Sequence, residues 1–388
     1  MKRLLSLVLV SSIAFLPTSF AAVKKPVVKP LKLLTTIGTP EEFGGIVTSA
    51  KIIIEYGNHG ASSFVRGIDI KGNELWNLNL DELSPSIATA ATVDSSGTVW
   101  IAGSTSLTRP SPTPLPTVLP LDPDKVVAVP DIYSADLDAF SLWSINPVSQ
   151  AMSQYSLQLK APILINAIAV DKFGISAVGS SGTLINADLS GHIANPITFA
   201  TDATSFESIV RNLDGTKTIV GSSSETLGGK KLVGKVDGVI VKISKANKVI
   251  SVVRSSATKA NRSWTSASST YLLGGSVVTG AKIESAITKF SSAYVPTWTY
   301  RFSSTGETFT AGSSFALLQS TSAITQLTGW SPKNPRALLI GFDAKGVVNA
   351  AYSAPTTQQR VLGLYASSEL GLLCITSSAE TVSIFTLN

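Results

Sequence analysis

Few residues in this chain have side chains suited to catalysis. The sequence holds two histidines, His59 and His192, and one cysteine, Cys374. A catalytic zinc needs several converging ligands, and a serine or cysteine nucleophile needs an imidazole beside it. His59 falls in a loop after a strand-like run, and His192 in a Ser-Gly-His turn expected on the opposite face, so the two make no metal pair. Cys374 lies inside the apolar run Gly371–Ile375, where a thiol behaves as a small core hydrophobe, and one cysteine allows no internal disulfide. No G-x-S-x-G elbow is followed by an acid and a histidine. The Asp94-Ser-Ser-Gly97 segment places its glycine three residues after the acid, one more than a sialidase Asp-box would, and reads as a structural turn. Asp122, Asp124, Asp131, Asp136 and Asp138 gather in one loop without calcium-loop spacing, so they read as solvated loop acids. The expectation is no catalytic residue, no metal and no cofactor.

Binding chemistry has more candidates. Trp264 and Trp330 fall near expected loops and would form an aromatic platform. Lys230, Lys231 and Arg336 sit in loop segments beside them, Tyr133 lies within a proline-rich stretch, and His59 lies in the loop after its strand. Trp76, Trp100, Trp143 and Trp298 fall within strand-like runs, where packing is the expected role.

Composition limits what can position these groups. With 44% hydrophobic and 14% charged residues, the chain can bury a large core, which excludes a disordered protein. The formal charge is +6, but Lys2, Arg3, Lys24, Lys25 and Lys29 precede residue 31 with no acid among them. The remainder is close to neutral, without the clustered basic face that nucleic-acid binding requires.

Residues 1–21 read as a secretory signal peptide. Lys2 and Arg3 precede an apolar run from Leu4 to Leu16, and Ser19-Phe20-Ala21 provides a small-residue cleavage site. The run is shorter than the roughly 20 apolar residues of a membrane-spanning helix, so no stable membrane insertion is expected after cleavage. Residues 22–30, rich in lysine and proline, read as an extended, solvated linker.

From residue 31 onward the pattern is of strands. Short runs rich in Val, Ile, Thr and Ser alternate with Gly, Asn, Asp and Ser turns, without a sustained helical period. Seven runs repeat a common form, most ending in glycine: Ile52–Gly57, Val99–Gly103, Ile175–Gly179, Thr218–Gly221, Tyr271–Gly275, Ile324–Gly329 and Leu372–Thr376. Their ends lie 42 to 54 residues apart, except for 76 between Gly103 and Gly179, where the proline-rich insertion 108–138 falls. A period of that size matches a four-stranded propeller blade. The last unit has three strands, and Leu31–Ile37 is a strand-like run available to complete it. Residues 31–388 are therefore expected to form one all-β domain, a seven-bladed β-propeller whose ring is closed by the N-terminal strand completing the last blade.

Asp94-Ser-Ser-Gly-Thr-Val-Trp-Ile-Ala-Gly-Ser-Thr105, followed after the insertion by Asp138-Ala-Phe140, resembles the bacterial seven-bladed β-propeller repeat family of extracytoplasmic proteins, the SBBP-type repeats. Asp237-Gly-Val-Ile-Val-Lys-Ile243 is similar to the third strand of the same repeat. The resemblance implies a fold and an export route and carries no catalytic residues. Ile68-Asp-Ile-Lys-Gly-Asn-Glu-Leu-Trp76 resembles the repeat of quinoprotein-like propellers and reads here as a turn with a packing tryptophan.

The function expected is that of a secreted, non-catalytic binding or scaffold module, monomeric, with a protein or glycan partner at the cell exterior. The alternative is an extracellular carbohydrate-active hydrolase or lyase using loop carboxylates on the propeller face. A pair of raised-pKa acids in a cleft would favour the enzyme, and exposed aromatics on a shallow face the binder.

Overall fold

The computed structural model describes residues 25–60, 62–80, 85–107 and 137–387, and every regular element among them is a strand. The signal segment, most of the proline-rich insertion and Tyr133 lie outside the described residues. The chain opens with β1 (Lys29–Pro30) and β2 (Lys32–Ile37). Four antiparallel sheets then follow in chain order. The first contains β3 (Phe43–Ser49), β4 (Ile52–His59), β5 (Ser62–Ile68) and β6 (Glu74–Asn79). The second contains β7 (Ser86–Val93), β8 (Val99–Thr105), β9 (Ala139–Ile145) and β10 (Met152–Gln158). The third contains β11 (Ile165–Asp171), β12 (Gly174–Gly179), β13 (Thr183–Ala187) and β14 (Ile197–Thr198), and the fourth β15 (Thr204–Arg211), β16 (Lys217–Ser223), β17 (Asp237–Ile243) and β18 (Val249–Ser255).

The next strands do not separate in this way. β19 (Asn261–Ala267), β20 (Leu272–Thr279), β21 (Lys282–Phe290), β22 (Pro296–Ala311), β23 (Phe315–Ser320), β24 (Arg336–Phe342) and β25 (Val348–Ser353) form one continuous sheet with β1, eight strands in all. β22 joins its two parts: over 16 residues it pairs first with β21 and then, beyond a register shift between Ser304 and Thr308, with β23. The chain ends with β26 (Arg360–Ser367), β27 (Gly371–Ser377) and β28 (Val382–Thr386), and β2 pairs antiparallel with β28 to complete this sheet.

The protein is thus an all-β propeller, but the expected count of seven blades is corrected. Five sheets are discrete four-stranded blades, and the remaining strands, β1 and β19 to β25, form one eight-stranded sheet in place of two further blades. The stretch Ser303–Ala311 carries no alternating apolar pattern, so its continuity with the preceding strand left no mark in the sequence. The run Ile324–Gly329, expected as a second strand, lies in the loop between β23 and β24, and β23 takes that place. Between sheets β3 contacts β7, β7 contacts β11, β11 contacts β15, β15 contacts β19, and β26 contacts both β22 and β3.

A shared geometry underlies the repeated glycine. In all six sheets a first strand bulges opposite the end of the second, as between Ala88 and Ala90 and between Ile165 and Ala167. In five of these hairpins a carbonyl of the first strand, or of the residue just before it, stands in the space a side chain would occupy. A Cβ built on Gly57, Gly103, Gly179, Gly221 or Gly275 would stand 1.8 to 2.0 Å from that oxygen. A bulge also frees backbone groups from the ladder. Side chains of the preceding sheet satisfy them: Asn58 accepts from Ala88 N at 2.8 Å and donates to Ala88 O at 2.9 Å, and Asn166 donates to Phe206 O at 2.9 Å.

The core is divided among the spaces between sheets. Trp76, Ile101 and Trp143 fill one, while Phe206, Ile219 and Val241 fill another. Middle strands are covered on both faces, which is why β8 and β12 read as unbroken runs of apolar and small residues.

The lysine- and proline-rich segment is not wholly a solvated spacer. Lys29 and Pro30 pair in parallel with Tyr352 and Ser353 on the edge strand β25. Pro26 O accepts from Thr328 N at 2.9 Å and Lys25 O from Thr328 Oγ1 at 3.0 Å.

Candidate binding face

Strand alternation sorts the loops onto two faces. Turns between first and second strands, and between third and fourth, share one face. Loops between second and third strands, together with the connections between sheets, share the other.

The turn face is built from short side-chain-capped turns. Asp94 accepts from the backbone N–H groups of Ser96 and Thr98 at 2.8 and 3.1 Å, and its second oxygen accepts from Trp100 Nε1 at 2.9 Å. Asp69, Asp188 and Asp343 cap equivalent turns. Burial opposes ionisation of Asp94, but bonds from Ser96, Trp100 and Thr98 outweigh it and hold the carboxyl below its ordinary range. These acids are engaged in local structure.

On the loop face, the first residue of a third strand organises the loop before it. Asp237 opens β17 and accepts from Val233 N and Gly234 N, each at 2.9 Å. Asp138 precedes β9 and accepts from Leu107 N at 3.2 Å. The sequence motif around Asp138 and Asp237 therefore serves loop closure.

The expected binding residues do not converge. Trp264 is fully buried on β19, edge-on to Phe290 at 5.8 Å and covered by the Arg262 guanidinium 4.5 Å above its ring. Trp330 is also buried; its Nε1 donates to Ser320 Oγ at 3.1 Å. An aromatic platform is therefore absent at both positions, because Trp264 fills the gap between the fourth sheet and the eight-stranded one and Trp330 packs among the strands of the latter. Arg336 lies over the Trp330 ring at 5.5 Å and donates from Nε to Ala354 O at 3.1 Å. Lys230 and Lys231 are exposed, and Lys230 O accepts from Arg254 Nε at 3.1 Å. His59 is exposed and its Nδ1 lies 2.5 Å from Glu42 Oε1. Tyr133 lies outside the described residues.

Two adjoining depressions mark this face beside the register shift of β22. One encloses about 580 Å³ and is lined by Glu307, Gln319, Gln359 and Arg360; the other, of about 440 Å³, is lined by Lys333 and Arg336. They share Asn334, Pro335 and Thr356, so they make one polar groove. Gln319 anchors its floor, accepting from Thr305 Oγ1 at 3.1 Å and donating to Gln359 O. The sequence reading found Arg336 and missed Arg360, Glu307 and Gln319, which lie in strands or at their ends and join only when the sheets assemble.

One carboxylate, Glu307, lines the groove. Glu55 is held above the usual carboxyl range by burial, opposed by Arg66 at 2.9 Å, but it lies on β4 against Gly38, away from the groove. Burial pushes the Cys374 thiol up to about 12, in keeping with a core position. Among the described residues, no group of three or more His, Cys, Asp or Glu could hold a metal ion, and no helix is long and apolar enough to cross a membrane.

Neither a protein-family model nor a curated protein sequence matches the chain. Solved structures do match in fold. The structure of U3-55K is similar with a TM-score of 0.58 and 9% identity, over 93% of this chain and 100% of that one. The RRP9 WD40 repeats match with a TM-score of 0.57 and 8% identity, over 94% and 99%. The β-propeller domain of Myceliophteria thermophila Cps50 (Swd1) matches with 0.53 and 8%, over 92% and 100%. At such identities the likeness carries the fold alone.

Proposed function

We propose that this propeller is a non-catalytic binding module, exported from the cytoplasm, that holds a polar ligand on its loop face. The observation that carries this reading is the continuous groove of amide, guanidinium and ammonium groups shared between two depressions at Asn334, Pro335 and Thr356. Such groups recognise hydroxyls, carbonyls and carboxylates by directional hydrogen bonds. A rigid ring of sheets keeps them in place, so little ordering entropy opposes binding. The leader at residues 1–21 supports a ligand at the cell exterior, a glycan or a protein segment.

A carbohydrate-active enzyme would require a second acid beside Glu307, and the groove lining supplies none. The test compares the wild-type chain with Arg360→Ala and Asn334→Ala on a glycan array and a peptide array. Binding by wild type that both variants lose supports the groove. Binding unchanged in both would overturn it, and turnover of a bound glycan would overturn the non-catalytic reading.

A further inference from the structure

A second cavity lies on the turn face, between the third and fourth sheets. It encloses about 250 Å³ and is lined by Arg211, Lys217, Lys245, Asn186, Asn247 and Phe173, with no carboxylate among its lining residues. Arg211 ends β15 and Lys217 begins β16, and the two are register partners across the hairpin. Like charges directly opposite in an antiparallel pair repel. Both are also buried: the Arg211 side chain is 6% exposed and Lys217 4%.

Their compensation is incomplete. Asp171 Oδ1 lies 2.8 Å from Arg211 Nη2, and Ser176 Oγ accepts from Nη1 at 2.5 Å, but the buried Arg211 Nε has no partner. Lys217 Nζ donates to Asn247 Oδ1 at 2.8 Å, a neutral acceptor. Burial, and then the neighbouring Arg211 charge, lower the lysine's pKa, while Asp171 opposes them. At the rim the Lys172 and Lys245 ammonium groups stand 5.0 and 5.6 Å over the Phe173 ring. Two other acids lie close by. Bonds from Thr216, and then the Lys242 and Lys245 charges, hold the Asp214 carboxyl below its usual range, and Asp188 accepts from Ser190 and from His192 N. Two buried cations therefore share one carboxylate, Asp171, at a cavity whose rim carries Lys172 and Lys245, the latter facing Asp214. Buried charge is stable when paired, so the cavity is complementary to an added anion.

We propose that this cavity binds a tetrahedral oxyanion, phosphate or sulfate, either as the free ion or as the terminal monoester of a larger ligand. The anion accepts from the Arg211 and Lys217 side chains and is closed in by Lys245. This is a separate site from the groove, on the other face, and its test does not depend on the groove's ligand.

The experiment is a thermal-shift and calorimetric titration of the exported chain with sodium phosphate, sodium sulfate and phenyl phosphate, against sodium chloride at matched ionic strength. Saturable stabilisation by phosphate and sulfate, with none from chloride, is expected. Lys217→Gln should weaken binding about tenfold, as loss of a charge-assisted bond does. Lys245 is exposed, so Lys245→Ala keeps the fold and should weaken binding about threefold by removing one Coulombic contact. Phenyl phosphate binding as well as phosphate assigns the monoester, and its exclusion assigns the free ion. Chloride matching phosphate, or Lys245→Ala binding phosphate as the wild type does, overturns the proposal.

Discussion

Arg254 Nη1 stands 3.2 Å from Asp237 Oδ2 in an ion pair with side chains 6% and 0% exposed. The pair joins the fourth strand of its sheet to the third and closes the loop before Asp237. Arg254 Nε reaches Lys230 O at 3.1 Å, and Nη2 donates to Glu225 O. The guanidinium thus fastens one end of the loop while the carboxylate fastens the other through Val233 and Gly234.

Replacing Asp237 with alanine leaves Arg254 buried without its carboxylate and should destabilise the fold by about 3–5 kcal/mol. Denaturant unfolding measures this. Trypsin should also cut faster after Lys230 and Lys231, since the loop loses its anchor. Unchanged cleavage would mean that other contacts hold the loop.

The same carboxylate sets a pH dependence. Burial alone would raise its pKa, but bonds from Val233, Gly234, Ser256 and Arg254 outweigh it and hold the carboxyl below its ordinary range. The stability it adds is therefore complete above the unfolded value of about 3.9 and is lost as pH falls through the lower folded value. Asp237→Asn should flatten the acid limb of stability against pH. An identical limb in that variant would assign it to other acids.

The N-terminal segment separates into two energetic steps. Deleting residues 22–30 removes the short parallel pairing to β25 and the bonds to Thr328, a loss of about 1–2 kcal/mol. Deleting residues 22–38 also removes β2, with buried Leu31 and Ile37, and exposes the edge of β28. That loss should be several kcal/mol and bring aggregation. Equal melting temperatures would show that β2 does not support the closing sheet.

Asp94→Ala removes the acceptor of the Trp100 indole N–H, and that ring is 2% exposed. An unsatisfied buried donor costs about 1–3 kcal/mol, and Asp94→Asn, which keeps an acceptor, should lose less. The ranking is read from paired melting curves.

Cys374 offers a probe of opening. It is fully buried and its thiol is pushed up to about 12. A disulfide reagent should label it at the rate of global unfolding, slowing when the fold is stabilised. Labelling that is fast and independent of denaturant would place the thiol near a local opening.

Much of the fold was legible because its causes are local. Alternating short runs, aspartate-capped turns and a glycine at the end of the second strand are requirements of a single hairpin, so each leaves its mark in the residues. Gly103 and Gly179 must be glycine because a neighbouring carbonyl takes the side-chain space. The unassigned run Leu31–Ile37 found its partner in β28 for an equally simple reason, since an apolar strand needs an edge.

What the sequence by itself determined was therefore the strand alphabet, the turns and the core position of Cys374. Tertiary structure decided how strands group and which side chains meet. β22 runs unbroken between two sets of partners because its hydrogen bonds, and not its composition, carry it across. Trp264 and Trp330 are apolar enough for either a surface platform or a buried gap, and only the strands packed around them settle that they are inside. Phe173, Arg211, Lys217 and Lys245 come from strand ends and turns of two sheets, and no spacing in the chain signals that they line one cavity. Burial by a neighbouring sheet is a property of the assembled ring, and it turns ordinary turn residues into a concentrated charge.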